Sequence, residues 1–173
     1  MPAVSVVPVA AGDAEAIAEL ARDVWYATYP GIISVEQIEY MLGERYTPEV
    51  IRREIETAAA GWDQVQEDGR PAAFVSYFPA ESAGDLKVDK LYVAQAAQRK
   101  GYGGVLLDHV AEVGRQRGFR WLILAVNKHN EQAIHAYRKH RFRVRDAVTK
   151  DIGGGFVMDD FIMERAIPGA SPK

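Results

Sequence analysis

A glycine-rich, basic turn lies at Gln98–Gly104, which reads QRKGYGG. It separates two apolar stretches, KLYVAQAA and VLLDHVAEV, as expected of a loop between a strand and a helix. Glycine has no Cβ, so backbone N–H groups in such a loop can converge on one anion, and the following helix adds its positive N-terminal end. Arg99 and Lys100 add two cations. The segment predicts a phosphate or pyrophosphate site, although an ordinary surface turn has the same spacing.

Several other kinds of site do not fit the sequence. A Walker-type loop ends in Gly-Lys-Ser/Thr, whereas GYGGVLL supplies neither the lysine nor the hydroxyl. The dinucleotide-binding fingerprint requires a glycine at the position of Leu106. The absence of cysteine excludes a disulfide framework, a thiolate metal site and a cysteine nucleophile. The four histidines show no paired spacing, so no metal site is predicted.

A second motif occurs in the segment NEQAIHAYRKH. Asn130, Ala133 and Tyr137 are spaced i, i+3 and i+7, which places them on one face of a predicted helix. From the residue types alone, this face consists of a helix cap, a small packing residue and a half-buried aromatic residue. The spacing by itself therefore suits a structural role as well as a functional one.

The elements that position both motifs follow from caps, periodicity and chain breakers. The predicted order is strand, helices, sequential strands, helix, strand, helix and hairpin. This order indicates an α+β or mixed α/β fold with helices on both faces of a sheet. A single domain is predicted for residues 1–165, with a flexible tail at 166–173. The predicted strands are VSVVPVA, WDQVQ, PAAFVSYF, DLKVDKLYVA, FRWLILAV, RFRVRDAVT and GFVMDDFIME.

Charge is distributed unequally along the chain. The net charge is -3, yet residues 1–80 hold 13 acidic residues and 5 arginines, a net charge of -8, and residues 81–173 have a net charge of +5. Either acidic helices simply face solvent, or the two halves hold ligands of opposite charge. The net acidity argues against a nucleic-acid partner. No basic region precedes Arg22 and no apolar stretch is long enough to cross a membrane, so a cytoplasmic protein without a membrane partner is expected.

The two motifs in this order resemble the signature segments of the GNAT superfamily of acyl-CoA-dependent N-acetyltransferases. LYVAQAAQRKGYGGVLL is similar to a strand followed by Gln/Arg-x-x-Gly-x-Gly/Ala, and NEQAIHAYRKHRF is similar to Asn-x-x-Ala-x-x-x-Tyr. The segment VSVVPVAAGDAEAIAELA also resembles the usual start of the family. The resemblance covers nearly the whole chain. It implies a central, mostly antiparallel mixed sheet of about six to seven strands with helices on both faces.

The resemblance also implies an enzyme that transfers an acetyl group from acetyl-CoA to a primary amine by direct attack. The pyrophosphate would bind the turn, and the pantetheine arm would pair with the strand through main-chain groups. Tyr137 is the implied general acid that protonates the CoA thiolate. The residues implied to bind the cofactor are Leu91, Tyr92, Val93, Gln98, Arg99, Lys100, Gly101, Tyr102, Gly103, Gly104, Asn130, Ala133 and Tyr137.

The sequence departs from the family pattern at two positions. Some members carry a glutamate six positions before Val93, where this sequence has Lys87. Asp85 and Asp89 share that strand face by the two-residue period, and either could serve as the base. Arg141 replaces a glycine that usually precedes Phe142, so Arg141 adopts a strained angle or the helix ends differently. A catalytically silent acyl-CoA-binding or sensing module is the alternative to an enzyme.

The acidic half of the chain predicts a cationic acceptor, either a small molecule such as a polyamine or a peptide amine. Trp25, Tyr26 and Tyr29 are candidates for lining an acceptor groove, although aromatic residues at a helix end also suit a core. Asp159 and Asp160 are candidates for attracting a cation, although they also suit a solvated hairpin. The sequence leaves the oligomeric state open, with a homodimer as one option.

Overall fold

The computed structural model describes residues 4–169 and contains a seven-stranded sheet in the order β1-β2-β3-β4-β5-β7-β6. The strands are β1 (Val6–Pro8), β2 (Gly61–Glu67), β3 (Arg70–Pro79), β4 (Asp85–Val93), β5 (Trp121–Asn127), β6 (Arg143–Gly153) and β7 (Phe156–Ala166). The helices are α1 (Ala14–Thr28), α2 (Val35–Arg45), α3 (Pro48–Glu56), α4 (Tyr102–Arg117) and α5 (Glu131–Lys139).

Strand directions agree with the predicted fold class. The β4 and β5 strands run parallel, whereas β1 with β2, β2 with β3, β5 with β7, and β6 with β7 are antiparallel. The predicted mixed α/β fold, with a mostly antiparallel sheet of six to seven strands and helices, is therefore confirmed. A 3₁₀ turn at Gln95–Ala97 was not predicted.

The chain divides into two compact units, Met1–Tyr77 with Lys90–Leu106, and Phe78–Asp89 with Leu107–Lys173. The single domain expected for residues 1–165 stays a prediction. The end of the expected tail, residues 170–173, lies outside the described residues. Before it, Ala166 ends β7 and the buried Ile167 donates its N–H to the carbonyl of Arg120 at 2.8 Å. Between residues 4 and 169, no helix is long and apolar enough to cross a membrane.

Helices α2 and α3 of the first unit begin at residues whose side chains cap them. The Ser34 hydroxyl accepts a hydrogen bond from the N–H of Gln37 at 3.1 Å, and the Thr47 hydroxyl accepts one from Val50 at 3.2 Å. Pro48 occupies the first turn of α3, where its missing N–H has no consequence. Helix α1 buries residues at helical spacing, namely Ala14, Ile17, Leu20, Ala21, Val24 and Trp25.

In the second unit, a close approach between α4 and its neighbours requires a glycine. A Cβ at Gly114 would lie 2.8 Å from Cδ1 of Ile167 and 3.3 Å from a methyl group of Leu86. Because both distances are shorter than ordinary contacts, a larger residue would push these groups apart. The helix ends before Gly118, as predicted, where φ is +83°.

A buried charge network connects three strands of the second unit. The Asp85 carboxylate on β4 is only 3% exposed and accepts two hydrogen bonds from the Arg145 guanidinium, at 2.6 and 3.0 Å. Arg145 on β6 also donates to Glu164 on β7. The β6–β7 register shifts between Val144 and Asp146, so Arg145 is the extra residue of a β-bulge. Bulges turn a side chain to a new direction, and here the bulge presents Arg145 to both acids.

Helix α5 ends in a Schellman motif in which Arg141 is left-handed, with φ of 74°. The N–H of Phe142 donates to the carbonyl of Tyr137 at 3.0 Å, and the N–H of Arg141 donates to Arg138 at 3.2 Å. The rings of Tyr137 and Phe142 meet edge to face, with centroids 5.8 Å apart. The sequence left two alternatives open, a strained angle at Arg141 or a different helix end. The structure shows the strained angle.

Because glycine carries no steric penalty at a left-handed position, Arg141→Gly is expected to raise the free energy of unfolding. We expect a gain of about 0.5–1 kcal/mol, after the extra unfolded-state entropy of glycine is deducted. Urea denaturation measures the change. The matched control is Arg138→Gly inside α5, which is expected to lower stability by about 1 kcal/mol. An unchanged or lower stability of the Arg141 variant would contradict the assignment of strain to this residue.

Candidate active site

The basic turn lies in the first unit, between the end of β4 and the start of α4. The signs of φ alternate along it, because Arg99 has φ of 69° and Gly101 has φ of 82°, whereas Gln98 has φ of -63°. Backbone that alternates between left- and right-handed conformations directs successive N–H groups to one side and forms a concave anion site. The local backbone therefore has the geometry that the sequence predicted for this segment.

The space above this turn is open. A Cβ built on Gly101 would meet no heavy atom within 4 Å, and one on Gly103 would meet only a methyl group of Val93, at 3.8 Å. The first hydrogen bond of α4 runs from the N–H of Val105 to the carbonyl of Gly101 at 3.1 Å. The N–H groups before Val105 have no acceptor within the helix, and the 16-residue helix adds its positive end. Free N–H donors at the positive end of a helix favour an anion at this position.

The two cations of the turn differ in their partners. Arg99 is exposed and makes no ion pair with residues 4–169. The Lys100 ammonium donates to Oε2 of Glu67 at 2.7 Å, and the Tyr102 hydroxyl donates to the same oxygen at 2.7 Å. The hydrogen bond from Lys100 lowers the pKa of Glu67, so this carboxylate stays ionised. Glu67 anchors the turn from the end of β2.

The last residues of β4 extend beyond the part of the strand that pairs with β5. The two strands pair through Asp85–Val88, and Asp89–Val93 follow after that ladder. Leu91 and Val93 are half-buried. The Tyr92 hydroxyl lies 3.0 Å from that of Tyr46. The Tyr92 side chain packs in an aromatic cluster, which consists of Trp25, Tyr29, Tyr46, Trp62, Phe74 and Tyr92. The cofactor role implied for Leu91, Tyr92 and Val93 concerns their main chain and stays a prediction.

The second motif lies in the second unit and forms the start and one face of α5. The side chain of Asn130 caps the helix by accepting a hydrogen bond from the N–H of Ala133 at 3.3 Å. The Tyr137 hydroxyl makes no hydrogen bond to the described residues, and its ring packs on Phe142. Burial raises the pKa of Tyr137 to about 12. The phenol therefore holds its proton at neutral pH and has no protein acceptor for it.

Asp85 is poorly suited to the role of base that was predicted for Asp85 or Asp89. Its carboxylate is occupied by Arg145 and also accepts a hydrogen bond from Ser82. The hydrogen bonds from Arg145 lower the pKa of Asp85, which weakens it as a proton acceptor. Asp85 is therefore corrected to a structural ion-pair residue. Asp89 is half-buried in β4, and its role stays a prediction.

The three aromatic residues predicted to line an acceptor groove occupy different surroundings. Trp25 is 2% exposed and lies in the aromatic cluster, with its ring centroid 4.3 Å from that of Tyr29. Tyr26 lies against the guanidinium of Arg22 at 5.1 Å and donates to Glu39 at 3.4 Å. Trp25 is thus a core residue with almost no surface for a ligand, whereas Tyr26 and Tyr29 are partly exposed.

A buried lysine in the aromatic cluster was not predicted. The side chain of Lys90 is 1% exposed, and its ammonium lies over the rings of Tyr46 at 5.3 Å and Trp62 at 5.4 Å. Its nitrogen is 3.9 Å from a carboxylate oxygen of Glu54. Cation–π attraction and this carboxylate together compensate for the loss of water. Lys90 therefore contributes to the core of the first unit.

The acidic pair on β7 does not act as a unit. Asp159 is partly exposed and accepts hydrogen bonds from the Lys128 ammonium at 2.6 Å and the Thr149 hydroxyl at 3.3 Å. The hydrogen bond from Lys128 lowers the pKa of Asp159. Asp160 is 8% exposed, and burial raises its pKa. Within residues 4–169, no group of three His, Cys, Asp or Glu side chains is arranged to hold a metal ion.

Comparison with known proteins identifies the family. A profile of the acetyltransferase (GNAT) family matches residues 15–142. The chain is 27% identical over 151 residues to a spermidine N(1)-acetyltransferase from Thermoplasma acidophilum, covering 85% of this chain and 90% of that protein. It is 37% identical over 75 residues to streptothricin acetyltransferase from Streptomyces lavendulae, covering 43% of this chain and 40% of that protein.

The fold is similar to that of a solved enzyme with its cofactor. The crystal structure of the PaiA N-acetyltransferase from Thermoplasma acidophilum in complex with coenzyme A superposes with a TM-score of 0.82 and 25% identity, covering 95% of this chain and 99% of that one. The family profile spans well over half of the chain. The alternative of a silent binding module is set aside, because the chain belongs to the acetyltransferase (GNAT) family and is an enzyme that uses acetyl-CoA to acetylate an amine.

Proposed function

We propose that this enzyme acetylates a cationic primary amine, either a small molecule such as a polyamine or an amine on a peptide. The observation that carries the proposal is the charge of residues 1–80, which is -8, beside the +5 of residues 81–173. A basic segment suits the polyanionic donor, which leaves the acidic segment for a positively charged acceptor. The relatives named for acetylating spermidine and streptothricin support an amine acceptor.

The residues of the turn fit the phosphate end of acetyl-CoA. The converging N–H groups of residues 99–104 would bind the pyrophosphate, and the guanidinium of Arg99 would add a charge-assisted contact. Lys100 and Tyr102 would act through Glu67, which holds the turn in shape. Gln98, Gly103 and Gly104 complete the same segment. Acetyl-CoA supplies the acyl group as a thioester, and the chain binds and orients it.

The main chain of β4 and the start of α5 would hold the rest of the donor. Leu91, Tyr92 and Val93 would pair with the amides of the pantetheine arm as an added strand does. Asn130 and Ala133 form the first turn of α5, on the helix face that carries Tyr137. With no cysteine in the chain, the acceptor amine attacks the donor directly. Tyr137 then gives its proton to the departing sulfur.

A left-handed glycine in the turn provides the first test of this arrangement. Gly101→Ala is expected to weaken CoA binding at least about tenfold, because a side chain strains the backbone and enters the space above the donors. Isothermal calorimetry measures the dissociation constant. The control is Gly118→Ala at the other end of α4, where φ is +83° and a Cβ also meets nothing within 4 Å. Equal affinity of wild type and the Gly101 variant would refute the site.

The proton donor is tested with Tyr137→Phe, which removes the hydroxyl and keeps the ring contact with Phe142. The dissociation constant for CoA should change little, and kcat should fall by about 10²-fold or more, the range of general acid catalysis. Single-turnover kinetics separates the chemical step from product release. If the chemical step proceeds at the wild-type rate, the role of Tyr137 is structural.

The acceptor class is tested by comparing kcat/KM for lysine amide and for glutamate at low and high ionic strength. We expect a preference for the cation that shrinks with added salt, because charges separated by more than roughly 8–10 Å are screened at physiological ionic strength. The salt dependence of CoA affinity is measured separately, and kcat/KM for each acceptor is corrected for it. A preference for glutamate, or a cation preference that is indifferent to salt, would contradict the proposed acceptor class.

A further inference from the structure

Asp160 is a buried carboxylate with one unpartnered oxygen. It lies in β7, opposite Asn127 of β5 and Val148 of β6. Its Oδ1 atom is closed to solvent and accepts no hydrogen bond from the described residues. Burying a carboxylate oxygen in this way is unfavourable unless a cation or a proton joins it. The Oδ1 atom therefore remains available to a donor group on a ligand.

Three lysines and one carboxylate act on Asp160 electrostatically. Lys87 of β4, Lys128 of the β5–α5 loop and Lys150 of β6 favour its ionised form, whereas Asp159 and burial oppose it. Burial is the largest influence and raises the pKa of Asp160. Lys128 is already committed to Asp159. Asp160 thus combines a raised pKa with an oxygen, Oδ1, that accepts no hydrogen bond from the described residues.

The sheet places Asp160 next to the loop that leads into α5. The loop after β5 is fastened to β7, because the N–H of Lys128 donates to the carbonyl of Asp159 at 3.1 Å. This loop leads directly to Asn130 and α5. Since β7 runs antiparallel to β5, Asp160 stands at the end of β5 from which α5 begins.

Asp160 also shares a sheet face with the position at which related enzymes carry a glutamate. Directly paired residues in a ladder point to the same face, as do alternate residues along a strand. Lys87 pairs with Ile123 in the β4–β5 ladder, and Asn127 pairs with Asp160 in the β5–β7 ladder. Ile123 and Asn127 are an even number of positions apart. Lys87 and Asp160 therefore point to one face, and Asp160 returns a carboxylate to it.

We propose that Asp160 is the site at which the acceptor's ammonium group binds and loses its proton, a role that rests on the proposed function above. The carboxylate accepts a proton from the ammonium, and the freed lone pair forms the C–N bond to the acetyl carbonyl carbon. The C–S bond breaks, its electron pair passes to sulfur, and Tyr137 protonates that sulfur. The ammonium loses two protons in total: Asp160 passes the first to solvent, and the second, lost once the C–N bond has formed, returns through solvent to the Tyr137 phenolate.

The test compares Asp160→Asn with Asp146→Asn, an exposed acid two ladder pairs away on β6, using spermidine as the acceptor. At pH 7 we expect Asp160→Asn to lower kcat/KM by about 10²–10⁴-fold, the range of general base catalysis. The loss should shrink at least about tenfold by pH 10, where solvent deprotonates more of the amine. Asp146→Asn should stay close to wild type, and the affinity for CoA should be unchanged in both.

Three results would overturn the proposal. The first is a kcat/KM for Asp160→Asn equal to that of the wild type, and the second is a loss of kcat/KM that is the same at every pH. The third is that Asp89→Asn, and not Asp160→Asn, shows a loss of kcat/KM that high pH relieves. If Asp160→Asn does not fold, Asp160→Ala takes its place with added formate. Recovery of turnover by formate supports the base role, and a folded enzyme that formate does not rescue refutes it. Failure of the wild type to acetylate any cationic amine refutes the proposed function and is established first.

Discussion

The buried carboxylate of Asp85 in β4 requires a cation beside it, and much of the local structure of the second unit serves to place one there. An ionised carboxylate that is 3% exposed is tolerated only when its charge is matched and its lone pairs are bonded. Arg145 reaches it because a bulge inserts one extra residue into β6. The same guanidinium binds Glu164, so β4, β6 and β7 are fastened together. The register that this network fixes also places Asp160 opposite Asn127.

The C-terminal end of α5 imposes a second constraint, on the orientation of Tyr137. A Schellman motif brings together the residue three before the C-cap and the residue two after it. Here these are Tyr137 and Phe142, so the helix terminus itself holds the phenol against an aromatic ring. Arg141 accepts an unfavourable angle to make this possible. The orientation of Tyr137 is therefore set by backbone hydrogen bonds rather than by any bond to its hydroxyl.

Local signals explain why so much of the fold could be predicted from the sequence. The caps at Ser34 and Thr47 and the glycine at 118 mark helix ends through interactions within a few residues. The turn and the Asn130 motif are equally local. Glu67 could not be predicted as a partner of Lys100, because 33 residues separate them and only the folded chain brings them together. For the same reason the pairing of Asp85 with Arg145, across 60 residues, could not be predicted.

The enclosure of Lys90 has a consequence for an enzyme that works with a reactive acyl donor. Autoacetylation of a lysine requires its amine to reach the thioester, and an amine with 1% exposure beneath two aromatic rings has no such route. Lys100, with 48% of its side chain exposed in the turn, has no comparable shelter. The aromatic cluster thus keeps the amine of Lys90, the partner of Glu54, out of reach of an acyl donor.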